Sequence, residues 1–199
     1  METSSLIEVA EESAAAGAAV ASASFREQLQ VQQKGDKNDV VTQADRDAQA
    51  AVVERIQQAT PDATIYGEEG DDDQHISTDG ITWIIDPIDG TNNYVRGNRR
   101  WATSVACLVD GEAVAAVNIL PAMGDRYVAT PEDVVRNGTT LTVSERTDPE
   151  RFAVVPTFWW GLDRRAEYAA ATEAIVRQFG DLRRIGSAQV TLSLVAAGA

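Results

Sequence analysis

Apolar side chains at Leu6, Val9, Ala10, Ala16, Val20 and Leu29, set among Ala, Glu and Gln, predict one long amphipathic helix over 6–33, weakened in the middle by Gly17. A polar turn follows at 34–39 (KGDKND). Val40 and Val41 then lead to Thr42, a good N-cap for a helix running to about Ala59, which Thr60-Pro61 stops. The pattern next changes period. Residues 63–66 read as a short strand, and 70–80 as an acidic loop. Segments 101–109, 113–120 and 126–130 read as successive strands joined by turns at Asp110-Gly111 and Gly124-Asp125, an antiparallel meander. Further strands are expected at 141–144, 152–157 and 182–185. Helices are expected at 164–179, stopped by Gly180, and at 188–197, opened by Gly186-Ser187. Helices, a meander and then mixed elements, with no repeat or linker between them, suggest two layered lobes without a clean boundary.

The most informative stretch is WIIDPIDGTNNY at 83–94. Trp83, Ile84 and Ile85 suit a buried strand. Pro87 cannot continue a central ladder, so Asp86 and Asp89 are expected where the strand ends. With Glu68, these aspartates offer the oxygen ligands that a hard cation such as Mg²⁺ takes, commonly together with substrate phosphate. Gly90 lets backbone approach an anion, and a turn or helix starting at Thr91 would aim N–H groups at phosphate. Two plainer readings stand beside these. Thr91 would equally serve as the cap of a helix over 92–96, and Thr42-x-x-Asp45 fits a capping box in which Asp45 bonds back to the Thr42 N–H.

Composition narrows the function classes. Asp and Glu number 31 against 17 Lys and Arg, giving a net charge of −14, and only Lys34 and Lys37 are lysines. Such a balance disfavours nucleic acid and anionic membrane as partners and suits a protein adapted to high salt. No basic leader precedes an apolar block, and no stretch nears the roughly 18 apolar residues of a membrane span, so the chain reads as cytoplasmic. Cys107, the one cysteine, lies in an apolar run and reads as a buried small hydrophobe. Asp71, Asp72 and Asp73 read as a solvated loop, with His75 exposed beside them. Trp159 and Trp160 could form a substrate platform, but a core or subunit contact is the commoner role for adjacent aromatics, and no function is assigned to them.

Together GEE (67–69), WIIDPIDGTNNY and DVVTQAD (39–45), with weaker similarity from Leu6 to GSAQVTLSLVAAG (186–198), resemble the inositol monophosphatase family. The resemblance implies a Mg²⁺-dependent phosphomonoesterase with a layered αβαβα sandwich, an α+β or α/β sugar-phosphatase-like fold, and usually a homodimer. It implies two or three Mg²⁺ ions and a small phosphorylated sugar or polyol as substrate, hydrolysed by metal-activated water. Glu68, Asp86 and the Ile88 carbonyl would bind a first metal, and Asp86 and Asp89 would contribute to a second. Gly90 and Thr91 would hold phosphate, with Asp89, Ser187 and Ala188 lining the substrate pocket. Asp45 and Thr91 would orient water near Glu68. Lys34 matches a lysine in a mobile loop near the active site, and Glu69 reads as a third-metal or outer residue or simply as an exposed acid.

Two departures from the family pattern bear on these expectations. Arg99 stands where the family usually has proline, which leaves arginines at 96, 99 and 100 near the site, suited to a second phosphate or to ordinary surface charge. The family also continues into a Trp-Asp motif that supplies a ligand of the second metal, and this chain stops before it. The expectation is a single domain over 1–199, with an N-terminal lobe over about 1–145, the start of a second lobe over 146–199, and a weakened second metal. The alternatives are fructose-1,6-bisphosphatase or nucleotide 3′-phosphatase activity, or a non-catalytic truncated homologue or fragment.

Overall fold

The computed structural model describes residues 2–27, 31–33, 40–68, 77–157 and 161–199. Helix α1 (Thr3–Ser24) is shorter than its composition predicts. Arg26 takes a left-handed φ of 69°, and residues expected to extend the helix form β1 (Val31–Gln33), antiparallel to β2 (Val40–Thr42). The physical reason is tertiary. The Arg26 guanidinium donates twice to the Gly97 carbonyl, at 3.1 and 3.0 Å, and lies over the Phe25 ring, contacts that a continued helix would forgo. Lys34, Glu69, Asp71, Asp72, Asp73, His75, Trp159 and Trp160 lie outside the described residues.

Helix α2 (Gln43–Ala59) begins after Thr42 and ends at Thr60, whose hydroxyl donates back to the Ile56 carbonyl at 2.9 Å. It packs on α1 through small residues. Ala10, Ala14, Gly17, Ala18 and Ala21 of α1 are buried, and a Cβ at Gly17 would overlap Val52 Cγ2 and stand 3.2 Å from the Ala48 carbonyl. Gly17 weakens the helix locally but permits the close crossing.

A seven-stranded sheet follows in the order β3 (Thr64–Gly67), β4 (Ile81–Asp89), β5 (Ala102–Val109), β6 (Glu112–Leu120), β7 (Asp125–Ala129), β8 (Val134–Arg136) and β9 (Thr139–Thr140). β3 and β4 are parallel, the remaining pairs are antiparallel, and β5 to β7 are the predicted meander. β8 and β9 were not expected and the strand predicted at 141–144 is absent. Asn137 and Gly138, at φ 50° and 81°, make the turn that folds β9 back on β8. α3 (Thr91–Val95) separates β4 from β5.

Alternation along the strands splits the side chains between two faces. Trp83, Ile85, Val105, Cys107 and Val117 meet Leu6, Ala10, Val52 and Ile56 of the helix pair. Burial pushes the Cys107 thiol up to about 11, which keeps it protonated and unreactive at neutral pH. On the other face Ala102, Leu120 and Tyr127 meet Ile185 and Val190. Val190 belongs to α5 (Ala188–Ala196), fastened to β6 by the Asn118 amide, which donates to Gln189 Oε1 and Ser193 Oγ. Beyond it β10 (Ala153–Val154) pairs in parallel with β11 (Asp181–Leu182), and α4 (Arg165–Gln178) adjoins β11. The strands expected at 152–157 and 182–185 shrink to these two short ones. The result is a mixed sheet flanked by helices, a layered α/β sandwich. No helix among the described residues is long and apolar enough to cross a membrane.

Candidate metal and phosphate site

The expectation that Pro87 ends its strand is corrected. β4 runs through it to Asp89, and the three steps from Asp86 to Asp89 oppose only two on β5, from Ser104 to Ala102. This is a bulge, the place in a sheet interior that tolerates proline. The Pro87 carbonyl accepts from the Thr103 hydroxyl at 2.8 Å. The bulge sets the site. On a regular strand residues three apart face opposite sides, but the extra residue turns both Asp86 and Asp89 to the face that carries Ala102, Ser104 and α5. Ile88 is turned into the opposite core, among Ala44, Ala48, Tyr94 and Trp101.

Glu68 arrives beside Asp86 because β3 runs parallel to β4 with Gly67 opposite Ile85. Its backbone N–H donates to the Ile85 carbonyl at 3.0 Å. The Asp86 carboxyl is held well above the usual carboxylate range, first by burial, then by the charges of Glu68 and Asp89, a hydrogen bond with Glu68 and the charge of Asp45. Asp86 Oδ1 is fully enclosed and has no hydrogen-bond partner among the described residues. The Ser104 hydroxyl, across the strand pair from it, is orphaned in the same way.

The remaining predicted residues lie close by. Asp45 Oδ2 accepts from the Thr42 N–H at 2.8 Å and the Thr42 hydroxyl at 2.5 Å, so the capping box is real. Asp45 Oδ1 accepts from the Thr91 hydroxyl at 3.2 Å, so the same carboxylate also serves the site. The Thr91 hydroxyl lies 3.0 Å from the Ile88 carbonyl as well, and its single proton serves one acceptor at a time. Thr91 is the first residue of α3 rather than its cap. The cap position belongs to Gly90, at φ 91°, where a Cβ would come within 3.1 Å of the Arg100 carbonyl and the Ser187 side chain. Only glycine suits both that conformation and that space.

Asp89 is engaged most heavily. It accepts from the Ser187 hydroxyl, from the Ala188 N–H at 3.2 Å and from the Gln189 N–H at 2.8 Å, and so caps the start of α5. Ser187 and Ala188 thus reach the site by holding Asp89. In this arrangement no three His, Cys, Asp or Glu side chains among the described residues close on a single point. The donor set nonetheless suits a hard cation. It is all oxygen, carries several like charges on one face, and leaves one enclosed carboxylate oxygen unsatisfied. Asn93 is a residue the sequence reading passed over. Its amide donates to the carbonyls of Arg100 at 2.7 Å and Ile185 at 2.8 Å, and its one sequence signal is a place two residues after Thr91.

Inositol-1-monophosphatase of Bacillus subtilis is 32% identical over 176 residues, covering 88% of this chain and 66% of that protein. Nus factor SuhB of Salmonella typhimurium strain LT2 is 32% identical over 173 residues, covering 85% of this chain and 64% of that protein. The chain therefore spans about two thirds of the length of these curated relatives. Among solved structures, extragenic suppressor protein suhB from Bartonella henselae superposes with a TM-score of 0.88 at 27% identity, over 98% of this chain and 75% of that one. The model of the inositol monophosphatase family matches residues 2–199, nearly all of the sequence from α1 through the aspartate pair to α5, and the chain belongs to that family.

Proposed function

We propose that the chain is a Mg²⁺-dependent phosphomonoesterase acting on a small sugar or polyol phosphate of the inositol 1-phosphate type. The observation that carries this reading is the bulge that turns Asp86 and Asp89 to one face, beside Glu68 and directly ahead of Gly90-Thr91. Glu68, Asp86, Asp89 and the Ile88 carbonyl are the groups that would hold the cation. Bound there, Mg²⁺ supplies charge neutralisation for phosphate and lowers the pKa of water toward neutrality.

The chain's own groups do the rest. The Thr91 hydroxyl, when it donates to Asp45 Oδ1, keeps its lone pairs free to accept a hydrogen bond from a water and fix its direction. Asp45 is itself anchored by Thr42, so the Thr91 oxygen is held in place from behind. Gly90, at φ 91°, sets the turn at which the Gly90-Thr91 backbone would meet phosphate oxygens. Ser187 and Ala188, with Asp89, form the wall against which the polyol rests.

The test is phosphate release from inositol 1-phosphate, fructose 1,6-bisphosphate and 3′-phosphoadenosine 5′-phosphate in high salt. Release that requires Mg²⁺, stops with chelator and drops by about 10²-fold or more in Asp86→Asn supports the reading. Release that persists in chelator contradicts it.

A further inference from the structure

We propose that Asn93 is a positioning residue that sets where Asp89 sits by tying the turn before α5 to α3. Two separate pieces of chain, the 98–100 loop and the turn at 185, meet at its side chain. One amide group donates both of its hydrogens, to the Arg100 carbonyl at 2.7 Å and the Ile185 carbonyl at 2.8 Å. Its oxygen accepts from the Asn98 amide at 3.2 Å. The backbone joins in, since the Asn98 N–H donates to the Asn93 carbonyl at 2.9 Å. Only a primary amide carries two donors and an acceptor on so short an arm.

The Ile185 bond is the consequential one. Residues 185 and 93 are far apart in sequence, and the next residue, Gly186, turns at φ 80° with so little room that a Cβ would stand 3.2 Å from Asn93 Nδ2. That turn delivers Ser187, whose hydroxyl and following N–H groups hold both oxygens of Asp89. The order of dependence is Asn93, the 185–186 turn, Ser187 and the α5 amides, then Asp89. The Asn118 amide ties the side chains of Gln189 and Ser193 to the sheet independently of the 185–186 turn, so loss of Asn93 frees the Asp89-bound amides at the helix start and leaves the helix on the sheet.

That Asp89 placement matters for phosphate release rests on the function proposed above, and the decisive readout does not. Asn93→Asp keeps the shape but sets a carboxylate against two carbonyls. Asn93→Ala deletes the amide without adding charge and Asn93→Gln keeps both donors on a longer arm, so a foldable variant remains if one fails. Hydrogen exchange is measured on the amides of residues 187–190, with Gly17→Ala as a destabilised control distant from the turn. The expected result is exchange at 187–190 faster by about tenfold or more in the Asn93 variants and unchanged relative to global stability in the control, with a tenfold higher Mg²⁺ requirement for phosphate release. Unchanged exchange at 187–190, or an equal rise in Gly17→Ala, overturns the proposal. If the wild-type chain releases no phosphate, the function fails while the exchange result still decides the role of Asn93.

Discussion

At the scale of single residues the site is a set of carboxylates, each tied differently. Asp45 is anchored by Thr42, Asp89 by the start of α5, and Asp86 by nothing at Oδ1. Thr91 bonds to Asp45 and lies beside the Ile88 carbonyl, and its hydroxyl is the group through which the proposed function is tested. Thr91→Val removes the proton that binds Asp45 or Ile88 and the lone pairs that would orient water. Steady-state assays should show phosphate release lower by about 10²- to 10⁴-fold, with Thr91→Ser retaining most of it. Equal activity in both variants would remove Thr91 from the mechanism. Much at this scale was legible in the sequence: Glu68, Asp86, Asp89 and Thr91 lie together, and Asp45 forms the expected capping box while also accepting from Thr91. What was not legible is direction. Nothing in DPIDG says that Asp89 turns its oxygens to backbone amides a hundred residues later, because those partners are set by tertiary packing. Asn93 was missed for the same reason, since both of its acceptors are backbone carbonyls, which carry no residue signature.

At the scale of elements the structure turns on two close fits. The bulge at Pro87 converts a three-residue spacing into a shared face, and no periodicity rule applied to WIIDPID reveals it, because the extra residue shows only against the partner strand. The α1–α2 crossing depends on Gly17. Gly17→Ala raises helix propensity by about 1 kcal/mol, but the added Cβ meets Val52 and the Ala48 carbonyl, an overpacking that costs about 1–3 kcal/mol. Chemical denaturation should therefore show a net loss of stability. A gain would mean that the helices separate freely. Strongly patterned elements such as α2, β5, β6 and α5 were read nearly to their ends. The misreadings fall where pattern is thin. The segment after Ser24 has helical composition, but Arg26 leaves the helix to bond Gly97 and Val31–Gln33 pair with β2. β8 and β9 are too short for alternation to show, although Asn137-Gly138 is a strong hairpin signal and was available.

At the scale of the whole molecule one tension stands out. A chain of net charge −14 gathers several of its acids on one face, and raises the Asp86 carboxyl by burying it beside them. A carboxyl raised in this way holds its proton more tightly folded than unfolded. Without a cation, stability therefore falls as pH climbs from the ordinary carboxylate range through the raised value. A cation that binds only the folded state reverses the loss, by about 2.7 kcal/mol at a hundred times its dissociation constant. The central claim, that the Glu68, Asp86 and Asp89 cluster is a cation site, is tested most directly by thermal unfolding at pH 8 of wild type and Asp86→Asn, in chelator and in Mg²⁺. The account predicts that in chelator Asp86→Asn melts above wild type, and that Mg²⁺ raises the Tm of wild type but not of the variant. An equal rise with Mg²⁺ in both, or a variant that melts lower in chelator, would contradict it.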